Sequence, residues 1–574
     1  MEKRIHLMSP DENLIRQVRQ KARCHPVTAA VLANRNITDE AAIREFFNPT
    51  FQSIPNGFSM ADMTPAVNRI ARAICHSEKI LVFGDYDVDG ITATTLLHEF
   101  LTACGAWVSW YIPHRVDEGY GLKTDHIHDA AAKNHIDLII TVDCGSGSGD
   151  AVIEANRRGI DVIITDHHAI SDPMPPAAAV VNPCRCDCTA GTDCLAGVGV
   201  AFLLLVCLRK HLRDINYWTD HEEPNLKALC DLVALGTIAD IVPLVNENRV
   251  LTKIGLEVIN TRPRPGIQAL IEVSGLGKNF ISAEDIAFRL APRLNAAGRM
   301  DHAKLAVKLL QEKTPETARE LAETVHHLNT RRQNIENQIF KRICMYLEEK
   351  PELLARKSMV LASDDWHEGI LGIVASRLAR IYWRPVALLS FKNGVGKGSA
   401  RSIPAVDLYQ AISECAPCLD KFGGHPMAAG LSLKTESLEE FRAAFESAVS
   451  AMAGPADFEP YVHIDGILSL DRICEQLINE LESLQPFGPE NEEPLFCAKD
   501  VAVVNARPVG QGHLRLILKQ QTARPHRPID AIWFNVPPAY QDARFFTQIV
   551  YKLKWNYWNG DRRMQMIIEQ ASFD

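Results

Sequence analysis

Three unbroken apolar runs constrain this chain more than anything else in it: KILVF at 79–83, DLIITV at 137–142 and DVIIT at 161–165. A strand with one wet face alternates apolar and polar residues, so continuous Ile, Leu and Val mean strands buried on both faces. A further short run lies at 108–112, and helical stretches at 91–104 and 150–158 separate the runs. Strand and helix in alternation predict an α/β domain, a doubly wound parallel sheet. Open sheets of that kind hold their ligands beyond the carboxyl ends of the strands.

Acids and histidines collect at those ends. The first run breaks at Gly84 into DYDVDG, which sets Asp85, Asp87 and Asp89 at alternate positions. Asp143 follows the second run, Asp166, His167 and His168 follow the third, and Asp240 comes after a helical segment in GTIAD. One acidic turn is ordinarily solvated surface, and one histidine ordinarily packs. Four such places at one sheet edge point to a metal centre with oxygen and nitrogen ligands, which suits Mn²⁺ or Mg²⁺ better than thiolate-bound zinc. The ligands outnumber the needs of one ion. Two ions sharing a carboxylate would use them all and clamp an in-line phosphoryl displacement.

DYDVDG, VDCG, TDHH and GTIAD, in that order, resemble the four motifs of the DHH phosphoesterase superfamily. Within it the chain is most similar to the RecJ type, exonucleases that degrade single-stranded DNA from 5′ to 3′ and release 5′-mononucleotides. LAGVGVAF (195–202), APRLNAAGRM (291–300), WHEGILGIVASR (366–377), GSARS (398–402) and GGHPMAAG (423–430) extend the likeness. The resemblance implies that Asp143 bridges two divalent ions, with Asp89, His167 and Asp240 completing one and Asp87 the other. Where the superfamily has a metal-binding histidine, four residues before Asp87, this chain has Phe83; Asp85 is included as its replacement, directly or through water. His168 is implied to touch the scissile phosphate, and Arg293, Asn295 and Arg299 to hold DNA nearby. Ser399, Arg401, Gly423, Gly424 and His425 are implied to hold the terminal nucleotide, including a 5′-phosphate. The N-terminus lacks an apolar core of signal-peptide length and no apolar run is long enough to span a bilayer, which predicts a soluble cytoplasmic protein, expected as a monomer. The likeness implies work with single-strand-binding protein and a RecQ-type helicase.

Domain boundaries follow from composition and pattern. Residues 1–60 read as a helical lead-in and 61–265 as the catalytic α/β domain. Residues 266–350 read as a connecting helical region, in which Thr314-Pro315-Glu316 starts a long solvent-bridging strut. A smaller α/β domain similar to DHHA1 spans 351–452; its glycine-rich GKGSARS and GGHPMAAG read as turns whose amides meet phosphate. Residues 453–574 alternate in short segments and predict an OB-like barrel.

The formal net charge of −10 argues against a basic coat, but its distribution matters more. Over 501–574 ten cations oppose five anions, a local +5 that leaves −15 on the rest. Trp533, Phe534, Tyr551, Trp555, Tyr557 and Trp558 interleave with cations such as Arg524, a composition suited to gripping single strands. A phosphodiesterase for short oligonucleotides or cyclic dinucleotides would share the metal motifs without needing that barrel. Cys184, Cys186, Cys188 and Cys194 lie within eleven residues, but their alternate spacing suits free thiols better than a zinc site, as does the lone pair Cys415 and Cys418.

Overall fold

The chain opens with a strand, β1 (Arg4–Leu7), and three helices, Glu12–Ala22, Pro26–Asn34 and Glu40–Phe47. The computed structural model describes residues 3–261, 263–277, 280–521, 526–558 and 561–573, without the side chains at 133, 134, 558 and 561. Two units result: residues 51–458, and residues 1–50 together with 459–574.

The larger unit begins with a five-stranded parallel sheet of β2 (Lys79–Gly84), β3 (Trp107–Tyr111), β4 (Leu138–Val142), β5 (Asp161–Thr165) and β6 (Ala179–Val181). Its order is β3-β2-β4-β5-β6. Ile80, Val82, Leu138 and Ile140 enter one core cluster, while Leu81, Phe83, Ile139 and Ile164 enter another on the opposite face. This double burial is why the runs do not alternate, and each such side chain contributes about 1.5–3 kcal/mol. The helix after β2 starts at Val88, ahead of Gly90, because the Asp87 carboxylate accepts the amides of Asp89 (3.0 Å) and Gly90 (3.2 Å).

The helix expected from Thr314 is there, Pro315–Glu349, 35 residues without a break, although the Thr314 hydroxyl does not cap it. It differs from a solvent-bridging strut. Ala318, Ala322 and Val325 pack into the core of the first α/β domain, and Ile339, Ile343 and Leu347 into that of the second. Their spacing of three and four residues keeps them on one stripe.

The second α/β domain has β7 (Met359–Ser363), β8 (Val386–Lys392), β9 (Val395–Arg401), β10 (Lys421–His425) and β11 (Ala428–Lys434), in the order β10-β11-β9-β8-β7. Both glycine-rich stretches therefore lie in strands, GKGSARS in β9 and GGHPMAAG in the β10–β11 hairpin, and the expectation of phosphate-binding turns is corrected. Gly430 lies opposite both Ser399 and Gly423. β9 is paired on both sides, which leaves binding there to side chains, whereas β10 is an edge strand paired only to β11.

The smaller unit corrects the reading of residues 1–60 as a separate helical lead-in. β1 runs parallel to β12 (Tyr461–Ile464), register Arg4 to Tyr461. Val18, Ala29, Leu32 and Phe46 share a core with Leu477, Phe496 and Phe546. Beyond β12 come β13 (Gly466–Ile467), β14 (Phe496–Val509), β15 (His513–Gln520), β16 (Ile529–Trp533), β17 (Phe545–Trp558) and β18 (Asp561–Ser572). The order β13-β14-β15-β16-β18-β17, with β14 also paired to β17, closes a barrel. Trp533, Tyr551 and Trp555 are its core, whereas Phe534 and Tyr557 are exposed; Arg524 and the Trp558 side chain lie outside the described residues. Among the described residues no helix is long and apolar enough to cross a membrane.

Candidate metal centre

The loops at the carboxyl ends of β2, β4 and β5 meet the helix Cys230–Ala239, whose last turn presents Asp240. Asp89 is held by two backbone amides. Its Oδ2 accepts the Gly197 amide at 2.6 Å and its Oδ1 the Val198 amide at 2.9 Å. These are the first amides of the helix Gly197–Asp214, an end that favours an anion. A Cβ on Gly197 would stand 2.7 Å from Asp143 Oδ1, so only glycine lets that helix reach the centre.

Asp143 itself has φ 59°, a conformation that non-glycine residues rarely adopt and that clusters at functional sites. The Nε2 atom of His167 lies 3.1 Å from Asp143 Oδ1, 3.6 Å from Asp240 Oδ2 and 3.9 Å from Asp89 Oδ2. Asp89, His167 and Asp240 can each offer one atom within 4.8 Å of the others, and so can Asp85, Asp87 and Asp143. Asp85 Oδ1, Asp143 Oδ1 and His167 Nε2 are all buried without a hydrogen-bond partner. Each such atom costs on the order of 1–3 kcal/mol. A cation between them would satisfy all three, so the donor set fits a pair of divalent ions. Phe83 takes no part: it is fully buried, with its ring 4.9 Å from His126 and 5.7 Å from Tyr111.

The electrostatics agree. Burial, and then the neighbouring carboxylates, raise Asp85, Asp143 and Asp240 well above the usual carboxylate range, and raise Asp89 to about 7. Burial and the charge of His168 lower His167 to about 4, which keeps it neutral and able to donate a lone pair. His168 differs from its neighbour. Burial works against its charge, but its bond to Asp166 (Nδ1 to Oδ1, 2.8 Å) outweighs that and raises it to about 9. Asp166 is 1% exposed and accepts the amides of Ser146, His167 and His168 as well, so it positions the imidazoles from behind.

A second, oppositely charged group lies beside the first. Arg299 donates to Gly369 O at 3.1 Å, and Arg401 donates to Ser399 Oγ at 3.0 Å and Ala400 O at 2.8 Å. Burial, and next the charge of Arg115, lower Arg299 to about 9 and Arg401 to about 10; Arg401 adds to the effect on Arg299. Among the described residues no carboxylate forms an ion pair with Arg115, Arg299 or Arg401. Arg115 instead lies 4.6 Å over the Tyr86 ring, inside DYDVDG. His425 stacks on His168 at 5.8 Å between ring centres, joining the DHHA1-like domain to the centre. A Cβ on Gly423 would meet only open space, and on Gly424 only its own hairpin.

Not every expected residue is there. Arg293 is 8% exposed and turns to the long helix, donating to His326 Nδ1 at 3.1 Å and to Arg289 O. Asn295 keeps a buried Oδ1 without a partner. The clustered cysteines supply no ligand set among the described residues. Arg115 and Tyr120 were missed, yet both follow β3, and the strand-end rule that picked out Asp143 covers their loop.

Family models match three segments: the DHH family N-terminal domain at 79–237, the DHHA1 domain at 356–451 and the RecJ OB domain at 464–570. The single-stranded-DNA-specific exonuclease RecJ of Bacillus subtilis is 33% identical over 575 residues, 99% of this chain and 71% of that protein. The chain belongs to the RecJ family. RecJ of Thermus thermophilus in complex with Mn²⁺ superimposes with a TM-score of 0.82 at 30% identity, covering 100% of this chain and 80% of that one. The same RecJ with Mg²⁺ gives 0.77 at 28% identity, covering 100% and 78%.

Proposed function

We propose that this RecJ-family chain is a metal-dependent exonuclease that degrades single-stranded DNA from its 5′ end, releasing 5′-mononucleotides, in recombination and repair. The observation that carries the reading is the adjacency of two unmet charges, a carboxylate–imidazole centre and a cluster of three unpaired arginines. A phosphodiester with a terminal phosphate one nucleotide away answers both.

In this reading Asp143 is shared, Asp89, His167 and Asp240 complete one site, and Asp87 with Asp85 completes the other. Two divalent ions, Mn²⁺ or Mg²⁺, supply Lewis acidity there, stabilising charge on phosphoryl oxygens and acidifying water to near neutrality. Neutral His167 keeps its Nε2 lone pair for a ligand role. His168, held as imidazolium by Asp166, donates from its remaining ring nitrogen to a phosphoryl oxygen of the scissile group. Arg115, Arg299 and Arg401, with Ser399, take the 5′-phosphate, and His425 closes over His168.

Residues 501–574, with a local excess of five cations and with Phe534 and Tyr557 exposed, are suited to binding single strands. The chain then acts as a cytoplasmic monomer on strands freed by a RecQ-type helicase and covered by single-strand-binding protein. Strands labelled at the 5′ or the 3′ end, digested with Mn²⁺, test the reading. Immediate release of labelled mononucleotide from the 5′ end only is expected. Early release of 3′ label, or equal digestion of blunt duplex, would overturn it.

A further inference from the structure

The loop after β3 carries one exposed aromatic residue that the chemistry above leaves without a role. Tyr120 is 45% exposed, yet its hydroxyl is not free. It donates to Asp143 O at 3.1 Å and lies 3.1 Å from His168 Nδ1. The loop is braced from behind. The Glu118 carboxylate accepts the Tyr111 hydroxyl at 2.7 Å and the His114 amide at 3.0 Å, and pairs with His126 Nε2 at 2.9 Å. Gly119 (φ 75°) and Gly121 (φ 81°) both adopt the left-handed conformation, and together they turn the ring outward. A tyrosine anchored at its tip and exposed on its ring differs from an ordinary surface tyrosine, which keeps its hydroxyl in water.

Its neighbours say what the ring meets. On one side Tyr120 meets His168 edge-on at 5.6 Å between ring centres. On the other it meets Tyr86 edge-on at 6.5 Å, and Tyr86 carries the Arg115 guanidinium on its face. Tyr120 therefore links, through its two ring contacts, the imidazole proposed for the scissile phosphate and Arg115 of the group proposed for the terminal one. What lies between two consecutive phosphates is a nucleoside. We infer that the exposed face of Tyr120 is the stacking platform for the 5′-terminal nucleoside, so that the enzyme engages the terminal base as well as its phosphates. This rests on the exonuclease reading above. Aromatic faces accept any base, so the platform reads the presence of a base and not its identity.

The test uses the full-length protein and 5′-phosphorylated single strands whose terminal nucleotide carries either a base or a tetrahydrofuran abasic analogue. Wild-type protein is expected to cleave the abasic end with kcat/KM about tenfold lower. Tyr120→Phe, which keeps the ring, should retain that ratio even if the lost hydroxyl lowers both rates. Tyr120→Leu should erase it. A second arm needs no catalysis: with metal chelated, a strand ending in 5′-terminal 2-aminopurine should lose fluorescence on binding wild-type or Tyr120→Phe, and not on binding Tyr120→Leu. A folded Tyr120→Leu that keeps both the ratio and the quench overturns the inference, as does a wild-type protein indifferent to the terminal base. Absence of any 5′-end cleavage with the quench intact would count against the exonuclease reading alone.

Discussion

The carboxylate centre and the arginine cluster lie side by side, and their charges strain them in opposite ways. In the first, Asp85, Asp87, Asp89, Asp143 and Asp240 crowd together, and burial with mutual repulsion raises the pKa of four of them. In the second, Arg115, Arg299 and Arg401 crowd together, and burial with mutual repulsion pushes two guanidiniums down into the range of about 9 to 10. Pairing acids with arginines would relieve both, and the fold keeps them apart. Each group therefore suits a different partner: the first suits divalent cations and the second an anion.

Breaking the first group should have the largest effect. Asp143→Ala removes the shared ligand and is expected to lower nucleotide release by about three orders of magnitude or more, with the circular dichroism spectrum unchanged. A normal rate would mean the centre is misassigned. Gly197→Ala forces a methyl group against the Asp143 carboxylate. On the order of a hundredfold loss in kcat should follow, since misplacing a ligand by an ångström costs about that much. Arg401→Gln tests the second group. On 5′-phosphorylated strands kcat/KM should fall about 10- to 100-fold, the worth of one or two charge-assisted bonds. On 5′-hydroxyl strands the change should be several times smaller, and equal losses on both would argue against a terminal-phosphate pocket.

The smallest effect belongs to pH. Acids raised in the folded state bind more protons there than in the unfolded chain, so stability falls as pH rises from the unfolded value near 3.8 towards about 7, where Asp89 titrates. His167, lowered to about 4, works the other way over this range, while His168, raised to about 9, works with the acids; Asp166, held low, is ionised in both states, so the four acids decide the sign. Metal-free protein in chelator should therefore melt a few degrees lower at about pH 7.5 than at about pH 5.5. Mn²⁺ should remove most of that difference by stabilising the folded state. A melting temperature that climbs with pH in chelator would contradict the repulsion described here.

Legibility in the sequence followed the range of the interaction. The parallel sheet was readable from its apolar runs, and the centre from acids at strand ends, because both patterns repeat within a few residues. The long helix was readable for its whole length. Its burial stripe was not, since Ala318, Ile339 and their neighbours belong to two different cores. The glycine-rich stretches misled, because a glycine says only that a side chain is absent. Whether Gly398 or Gly430 sits in a turn or a ladder depends on the partner strands on both sides, Leu389 and Leu431 for the first and Gly423 and Ser399 for the second. Arg293 looked like a DNA contact in its motif and turned out to brace a helix.

The amino-acid order by itself determined that this chain makes a doubly buried parallel sheet, that its strand ends carry a metal-type donor set, and that residues 501–574 are basic and aromatic. Those are local facts of periodicity, side-chain chemistry and charge. Only the tertiary structure decided that the first residues complete the C-terminal barrel unit, that Gly197 and Val198 hold Asp89, and that Arg115, Arg299 and Arg401 meet. Each joins residues at least about a hundred positions apart, and no short window of sequence contains both sides of such a contact.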